Sequence, residues 1–343
     1  MRRAVLLILF LFITATTSMA QVKVGQDGTI SGLAFNDYYW IVSNHRESLE
    51  GSNGFRFRRI YLGYTHRYND SFSGRLRLEM NSEGNYQTGG RMTPFVKDAW
   101  LKWENDRHEI LAGISPSPTF ALVESIWNYR SVEKTPLDLQ RLAGSRDFGL
   151  AAKGALDESE RWNYHVMVGN GNSTGPETDE GKKMMLSLSY QLTGQWVVEA
   201  YGDWNSLADD THRKTVQGFV GYESETVAFG ALYAFQQTDN PIAGDTNLDI
   251  ASAFVRAALA QGTTGLLRVD HMFAPNPDGE NISYLPFSNE AESTLVVAGV
   301  DFQLSEDMIS LIPNIEAVIY GETPDGMTPA TDFIPRITLF YSF

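Results

Sequence analysis

Arginine is concentrated in one short stretch of the chain. Residues 54 to 77 contain six arginines and a single acid, Asp70. A guanidinium group is permanently charged, and its planar fork donates paired hydrogen bonds to phosphate or carboxylate oxygens. The stretch therefore indicates attraction of anions.

The arginines alternate with apolar residues, which is the spacing of a β-strand. Phe55 and Phe57 point one way, whereas Arg56 and Arg58 point the other. The alternation slips at Arg58 and Arg59, which predicts a β-bulge that aims both side chains to one side. A second segment repeats the pattern with Arg75, Arg77 and Glu79 opposite Leu76, Leu78 and Met80.

Other chemistry has little support in the sequence. The chain has no cysteine, and its six histidines show no spacing typical of metal ligands. No G-x-S-x-G motif is present. We predict no catalytic residues, no metal and no cofactor. Ser43 and His45 leave an outer-membrane enzyme of the lipase or protease type open as an alternative.

The amino terminus has the layout of a secretory signal peptide. Arg2 and Arg3 precede an apolar run from Ala4 to Ile13, and small residues follow up to Ala20. A membrane-spanning helix needs about 20 apolar residues, twice the length of this run. We therefore expect residues 1–20 to be a signal peptide and residues 21–343 to form a transmembrane β-barrel.

Period-two alternation continues over most of the chain and predicts about sixteen strands. Short polar turns alternate with longer polar loops between them, which is the pattern of bacterial outer-membrane barrels. Lipid cannot satisfy backbone amides, so strands cross a membrane only as a closed antiparallel barrel. Charges on the lipid face are costly, so the arginines are expected to face the lumen. The formal charge of −15 argues against nucleic acid as a partner.

The last strand ends the chain on an aromatic residue. Phe333, Ile337, Leu339, Tyr341 and Phe343 fall on one face. This ending resembles outer-membrane barrel proteins generally, and the resemblance implies recognition of Phe343 by the barrel insertion machinery. A core strand of a soluble, secreted β-sandwich is the alternative.

The longest connection is the third outward loop, residues 116–145. Its apolar residues, including Phe120, Ile126 and Trp127, argue for burial, because a free surface loop rarely exposes so many. In position and length it resembles the loop that folds into the lumen of sixteen-stranded porins. We therefore expect it to be a constriction loop inside the barrel.

The arginine hairpin resembles the phosphate-selective porin O and P family. Lys97-Asp98-Ala99-Trp100-Leu101 and Ser145-Arg146-Asp147-Phe148-Gly149 also look like that family. The resemblance implies a sixteen-stranded trimeric pore that favours anions. It assigns pore-lining and selectivity roles to Arg56, Arg58, Arg59, Arg75, Arg77, Lys134, Arg141 and Arg146.

The loop of residues 116–145 carries three acids, Glu124, Glu133 and Asp138, and its formal charge is nearly neutral. It lacks the dense lysine clusters of the phosphate-selective family. Acidic loop residues facing a basic wall also occur in general porins, where they create a transverse field. The expected function is passive diffusion of small hydrophilic solutes across the outer membrane of a Gram-negative bacterium, with anions or phosphate preferred. A general, non-selective porin is the main alternative. Expected partners are outer-membrane lipids and lipopolysaccharide, small anionic solutes and two further copies in a homotrimer.

Overall fold

The computed structural model of the chain describes residues 21–86, 89–305 and 308–343. The predicted signal peptide, residues 1–20, lies outside the described residues. The described strands form one antiparallel sheet. They are β1 (Gln21–Val24), β2 (Gly28–Trp40), β3 (Asn53–Arg67), β4 (Phe72–Met80), β5 (Phe95–Glu104), β6 (His108–Pro116), β7 (Arg146–Ala155), β8 (Trp162–Gly169), β9 (Lys183–Gln191), β10 (Trp196–Ser206), β11 (His212–Glu223), β12 (Val227–Asp239), β13 (Thr246–Ala260), β14 (Thr263–Met272), β15 (Ser293–Ser305), β16 (Ile309–Tyr320) and β17 (Asp332–Ser342).

The sheet closes on itself. Consecutive strands pair from β2 to β17, and Arg336–Ser342 of β17 then pairs with residues 33–39 of β2. The predicted antiparallel β-barrel of sixteen strands is thus confirmed. The short strand β1 pairs with the first residues of β2 and was not predicted, because four residues are too few for alternation to be recognised.

Alternating side chains separate an apolar outer face from a mixed interior. On β14, Leu267 and Val269 are exposed on the outer face, whereas Arg268 and Asp270 are buried inside. Aromatic pairs lie at the turn end of the barrel, as expected for an interfacial girdle. The ring centroids of Trp162 and Tyr190 are 4.5 Å apart. This is the architecture of an outer-membrane β-barrel.

The short turns are held by side-chain caps that the sequence supplies. The Asn69 side-chain oxygen accepts hydrogen bonds from the main-chain N–H groups of Ser71 and Phe72, both at 2.9 Å. Asn105 caps the turn between β5 and β6 in the same way. Asparagine favours such turns because its short side chain mimics a backbone carbonyl. In the described ranges, no helix has the length and apolar character needed to cross a bilayer.

Candidate functional site

The connection between β6 and β7, residues 117–145, contains two short helices, α1 (Ala121–Trp127) and α2 (Pro136–Leu139). The predicted loop began at Pro116, which is the last residue of β6. The segment is largely buried, and Trp127 is only 1% exposed. Residues 117–145 are called the inner segment below.

Side chains on β12–β14 hold the inner segment through hydrogen bonds to its carbonyl oxygens. The Arg256 Nε donates to the Ile126 oxygen at 2.9 Å, and the Gln236 Nε2 donates to the Leu142 oxygen at 2.6 Å. Arg268 donates to the Lys134 carbonyl. The segment thus has fixed partners on three adjacent strands.

Apolar side chains on the same side of the barrel pack against the inner segment. The ring centroids of Trp127 and Phe254 are 5.3 Å apart. We call the buried apolar side chains of β10–β17 the packed half. They are Val197, Phe219, Ala228, Leu232, Ala234, Leu248, Ile250, Phe254, Leu266, Met272, Leu295, Val297, Ile312, Val318, Tyr320 and Ile334.

The opposite side of the interior is charged. The structure places Arg56, Arg58, Arg59, Arg75 and Arg77 of β3 and β4 on this side, together with Lys97 of β5 and Arg146 of β7. We call these seven cations and their acidic partners the charged wall. The β2–β3 register shifts so that Arg58 has no Cα partner, which is the predicted bulge. A second register shift, between β4 and β5, leaves Lys97 without a Cα partner on β4.

Two arginines of the charged wall belong to a balanced network. Arg58 binds Glu133 of the inner segment at 2.6 Å and Glu316 at 3.5 Å. Arg56 binds Asp37 at 3.2 Å. Arg336 joins the network and binds both Asp37 and Glu316. Three cations therefore face three acids, and the network adds no net charge.

The rest of the charged wall has more cations than acids. Glu79 binds Arg59 at 2.6 Å and Lys97 at 2.9 Å. Asp98 has three basic neighbours. Its carboxyl oxygens lie 2.5 Å from Arg146, 2.8 Å from Arg77 and 3.6 Å from Arg75. Five cations thus share two acids, and this part of the wall is positively charged.

The three acids predicted on the loop have basic partners. Although burial alone would raise the pKa of Glu133, the Arg58 guanidinium and nearby Lys134 lower it to about 2. Asp138 binds Arg130 at 2.6 Å, and Glu124 lies 3.6 Å from the same guanidinium. Glu133 and Asp138 are therefore ionised at neutral pH, and basic side chains of the protein balance their charges.

The remaining predicted cations come together at the loop end. Lys134 and Arg141 line one cavity of about 570 Å³ together with Arg146 of the charged wall. Burial lowers the pKa of Lys134 to about 8, with Asp138 opposing the shift and Arg59 adding to it. Arg59 of the wall and Lys134 of the inner segment are thus close enough to repel each other.

Sequence reasoning missed Arg336 and Glu316 as site residues. Both lie on inward positions between apolar outward residues of β17 and β16, so alternation could have placed them inside. Alternation could not have predicted that Arg336 and Glu316 form an ion pair with each other. The sequence offered Asp98 and Glu79 as acids with which the arginines could pair, whereas Lys97 was noticed only as part of a family motif. Lys97 and Asp98 both point inward because of the bulge.

The alternative enzyme site is not assembled around Ser43. The Ser43 hydroxyl donates to the Thr331 carbonyl at 2.7 Å. His45 instead contacts Asp332 at 3.0 Å and Glu280 at 3.2 Å. The serine and the histidine therefore have separate partners and do not form a nucleophile–base pair.

No family model matches the chain, and no curated protein matches it. Solved structures with the same fold do match. The anion-selective porin from Comamonas acidovorans is 11% identical with a TM-score of 0.68, and the match covers 92% of this chain and 99% of that chain. The outer membrane channel DcaP of Acinetobacter baumannii is 15% identical, with a TM-score of 0.65 and coverage of 95% and 100%.

The trimer form of OmpT, an outer membrane protein of Vibrio cholerae, is 12% identical with a TM-score of 0.61, and covers 93% of this chain and 100% of that one. At these identities the likeness concerns the fold. The chain therefore has the fold of outer-membrane porins.

Proposed function

We propose that this chain is a porin of the outer membrane and passes small hydrophilic solutes by diffusion, with a preference for anions. Its apolar outer face suits lipid, and its interior carries charged side chains that need water or ionic partners. Porins with the same fold support the proposal. The amino-terminal signal peptide, cleaved before Gln21, belongs to the proposal and agrees with export.

We also propose that the inner segment narrows the pore. The packed half fixes one side of the segment, so solutes pass along its other side, between Lys134 and the charged wall. Arg141 and Arg146 line the cavity that leads to this gap. A narrow passage strengthens electrostatic selection, because low-dielectric walls focus the field of the lining charges.

The excess of basic side chains around Glu79 and Asp98 carries the anion proposal. An anion in the gap meets Arg59, Arg75, Arg77 and Arg146, whose charges two acids only partly neutralise. A phosphate group would gain paired hydrogen bonds from guanidinium groups, but it must compete with Asp98 for them. We therefore propose attraction of anions as a class, with phosphate as one member.

Further partners follow from the barrel architecture. We propose that outer-membrane lipids and lipopolysaccharide surround the barrel, and that Phe343 takes part in recognition by the insertion machinery. Phe343 pairs with Gly32 through main-chain hydrogen bonds of 2.7 and 2.9 Å, so it lies at the seam that closes the barrel. A homotrimer is proposed because a similar Vibrio cholerae structure is a trimer form.

Planar bilayers test the function directly. The purified protein should conduct, and the reversal potential under a potassium chloride gradient should indicate chloride preference. Replacing both Arg75 and Arg77 by alanine should lower the chloride-to-potassium permeability ratio roughly thirtyfold, because two charges at about 8 Å in water stabilise chloride by about 1 kcal/mol and destabilise potassium by the same amount.

The matched control is Lys214→Ala, which removes an exposed cation paired with Asp239 away from the charged wall. It should leave the permeability ratio unchanged. Cation preference in the unaltered protein would contradict the anion proposal, and absence of conductance would contradict the pore.

A further inference from the structure

A second cavity lies at the turn end of the barrel, on the other side of the inner segment. Its volume is about 350 Å³. It is lined by Glu199 on β10, by Ser187 and Ser189 on β9 and by Asn163 on β8. Pro118 and Leu122 of the inner segment add an apolar surface.

Glu199 differs from the other buried acids of the barrel. It is only 6% exposed, and its Oε1 atom has no hydrogen-bond partner among the described residues. Its one electrostatic partner there is the Ser187 hydroxyl. Six other buried acids on the strands each have a lysine or arginine at salt-bridge distance, namely Asp37, Glu79, Asp98, Asp203, Asp270 and Glu316.

The remaining buried acids are also satisfied more fully than Glu199. Asp147 accepts hydrogen bonds from the main-chain N–H groups of Phe148 and Gly171, and Asp332 contacts His45 and accepts a hydrogen bond from the Tyr320 hydroxyl. Asp301 accepts a hydrogen bond from the Tyr129 hydroxyl through one carboxyl oxygen, and its other oxygen has no hydrogen-bond partner among the described residues. A buried carboxyl group without a basic partner is costly. Such a group in a cavity points to a ligand that supplies the positive charge.

The groups around Glu199 form an ordered row. Asn163 is the register partner of Ser189, and Ser189 is the register partner of Glu199. Three adjacent strands thus present an amide, a hydroxyl and a carboxyl group side by side. The Nε2 atom of His165 in the same cavity is also buried without a hydrogen-bond partner in the described part of the chain.

We infer that Glu199 and this row form a second solute site, which binds the protonated amine of a small organic molecule. The carboxyl group accepts hydrogen bonds from the ammonium group, and Asn163 and Ser189 bind further polar groups of the solute. Leu122 and Pro118 contact its carbon chain. The inference rests on the proposed pore, in which this site lies beyond the basic gap and has the opposite sign.

Saturation-transfer NMR on the full chain in detergent micelles tests the site with ethanolamine hydrochloride as the probe. The unaltered protein should bind ethanolammonium and should not bind ethylene glycol, its neutral counterpart. Glu199→Gln should weaken binding at least about tenfold, which corresponds to about 1.4 kcal/mol. Glu109→Gln is the matched control and should bind normally, because Glu109 lines the same cavity but is already paired with Lys153 at 3.0 Å.

Equal binding by the Glu199→Gln variant would overturn the inference, since it would show that the carboxyl group does not bind the ammonium group. Equal binding of ethylene glycol, or displacement of the probe by an equal concentration of potassium, would also overturn it. Heat-modifiable migration checks that each variant is folded. Asn163→Leu should weaken binding of ethanolammonium as well, and it replaces Glu199→Gln as the test variant if Glu199→Gln does not fold.

Conductance of the same preparations separates the two proposals. A protein that conducts without binding ethanolammonium lacks the site but keeps the pore. A protein that binds ethanolammonium without conducting keeps the site, and the proposed pore fails.

Discussion

The packed half and the charged wall are built from the same kind of strand but have opposite interiors. On β13 the inward side chains include Ile250 and Phe254, which contact other apolar groups. On β3 the inward side chains include Arg56 and Arg58, which contact acids. The outer face is apolar in both regions. The outward side chains are mostly apolar in every strand because they face lipid. The inward side chains are mostly apolar where they contact the inner segment and mostly charged where they line the lumen.

The two regions also bind the inner segment differently. The packed half buries Trp127 and neighbouring apolar groups, and such burial contributes about 25 cal/mol per Å² of apolar area. The charged wall contacts the segment chiefly through Arg58, which binds Glu133 and the Val132 carbonyl. We therefore expect stability to depend mainly on the packed half and ion selectivity mainly on the charged wall.

Replacing Trp127 is expected to have the largest effect, because it removes the main contact between the packed half and the inner segment. Trp127→Ala should lower the free energy of unfolding by about 3–5 kcal/mol, because a large buried side chain leaves a cavity. The inner segment should loosen, and single-channel conductance should rise. Urea unfolding in lipid vesicles and bilayer recordings measure the two effects.

The control for this substitution is Trp204→Ala, at an outward position that is 38% exposed. It should change conductance little. If Trp127→Ala has the same conductance as the unaltered protein, the packed half does not hold the segment in the pore.

The same substitution in the two regions should have different consequences. Asp98→Asn removes the acid shared by Arg75, Arg77 and Arg146, so the charged wall becomes more positive. The chloride-to-potassium permeability ratio should rise roughly fivefold, because one charge at about 8 Å in water shifts the energies of chloride and potassium by about 0.5 kcal/mol each in opposite directions.

Asp270→Asn is the counterpart in the packed half, where Asp270 accepts a hydrogen bond from the Arg268 Nε at 2.8 Å. It should lower stability without a change in selectivity, as measured by urea unfolding and reversal potential. A selectivity change as large as that of Asp98→Asn would mean that ions also pass along the packed half.

The smallest expected effect concerns pH. Lys134 is cationic below its pKa of about 8 and neutral above it. The chloride-to-potassium permeability ratio should therefore fall as pH rises from 7 to 9, by less than about fivefold for one charge. Reversal potentials over this range measure the change, and Lys134→Arg should remove it because a guanidinium group stays protonated. A pH response that persists in Lys134→Arg would assign the titration to another group.

Much of the fold was predictable because alternation is a local property of the chain. Each of the sixteen barrel strands coincides with a segment of period-two alternation, and the predicted bulge at Arg58 is present. The arginines proposed to line the pore are inside, since a charge on the lipid face is costly. Length and apolar content also distinguished residues 116–145 from the other loops.

The sequence by itself therefore determined the strands, the closed barrel and the side of each strand on which the arginines lie. Only the tertiary structure decided which charges remain unbalanced. Asp37 and Arg336 are 299 residues apart in the chain, yet they form an ion pair when β17 closes on β2. Which ion pairs form across the lumen depends on barrel closure and on how the inner segment packs. Neither of these produces a periodic pattern in the sequence.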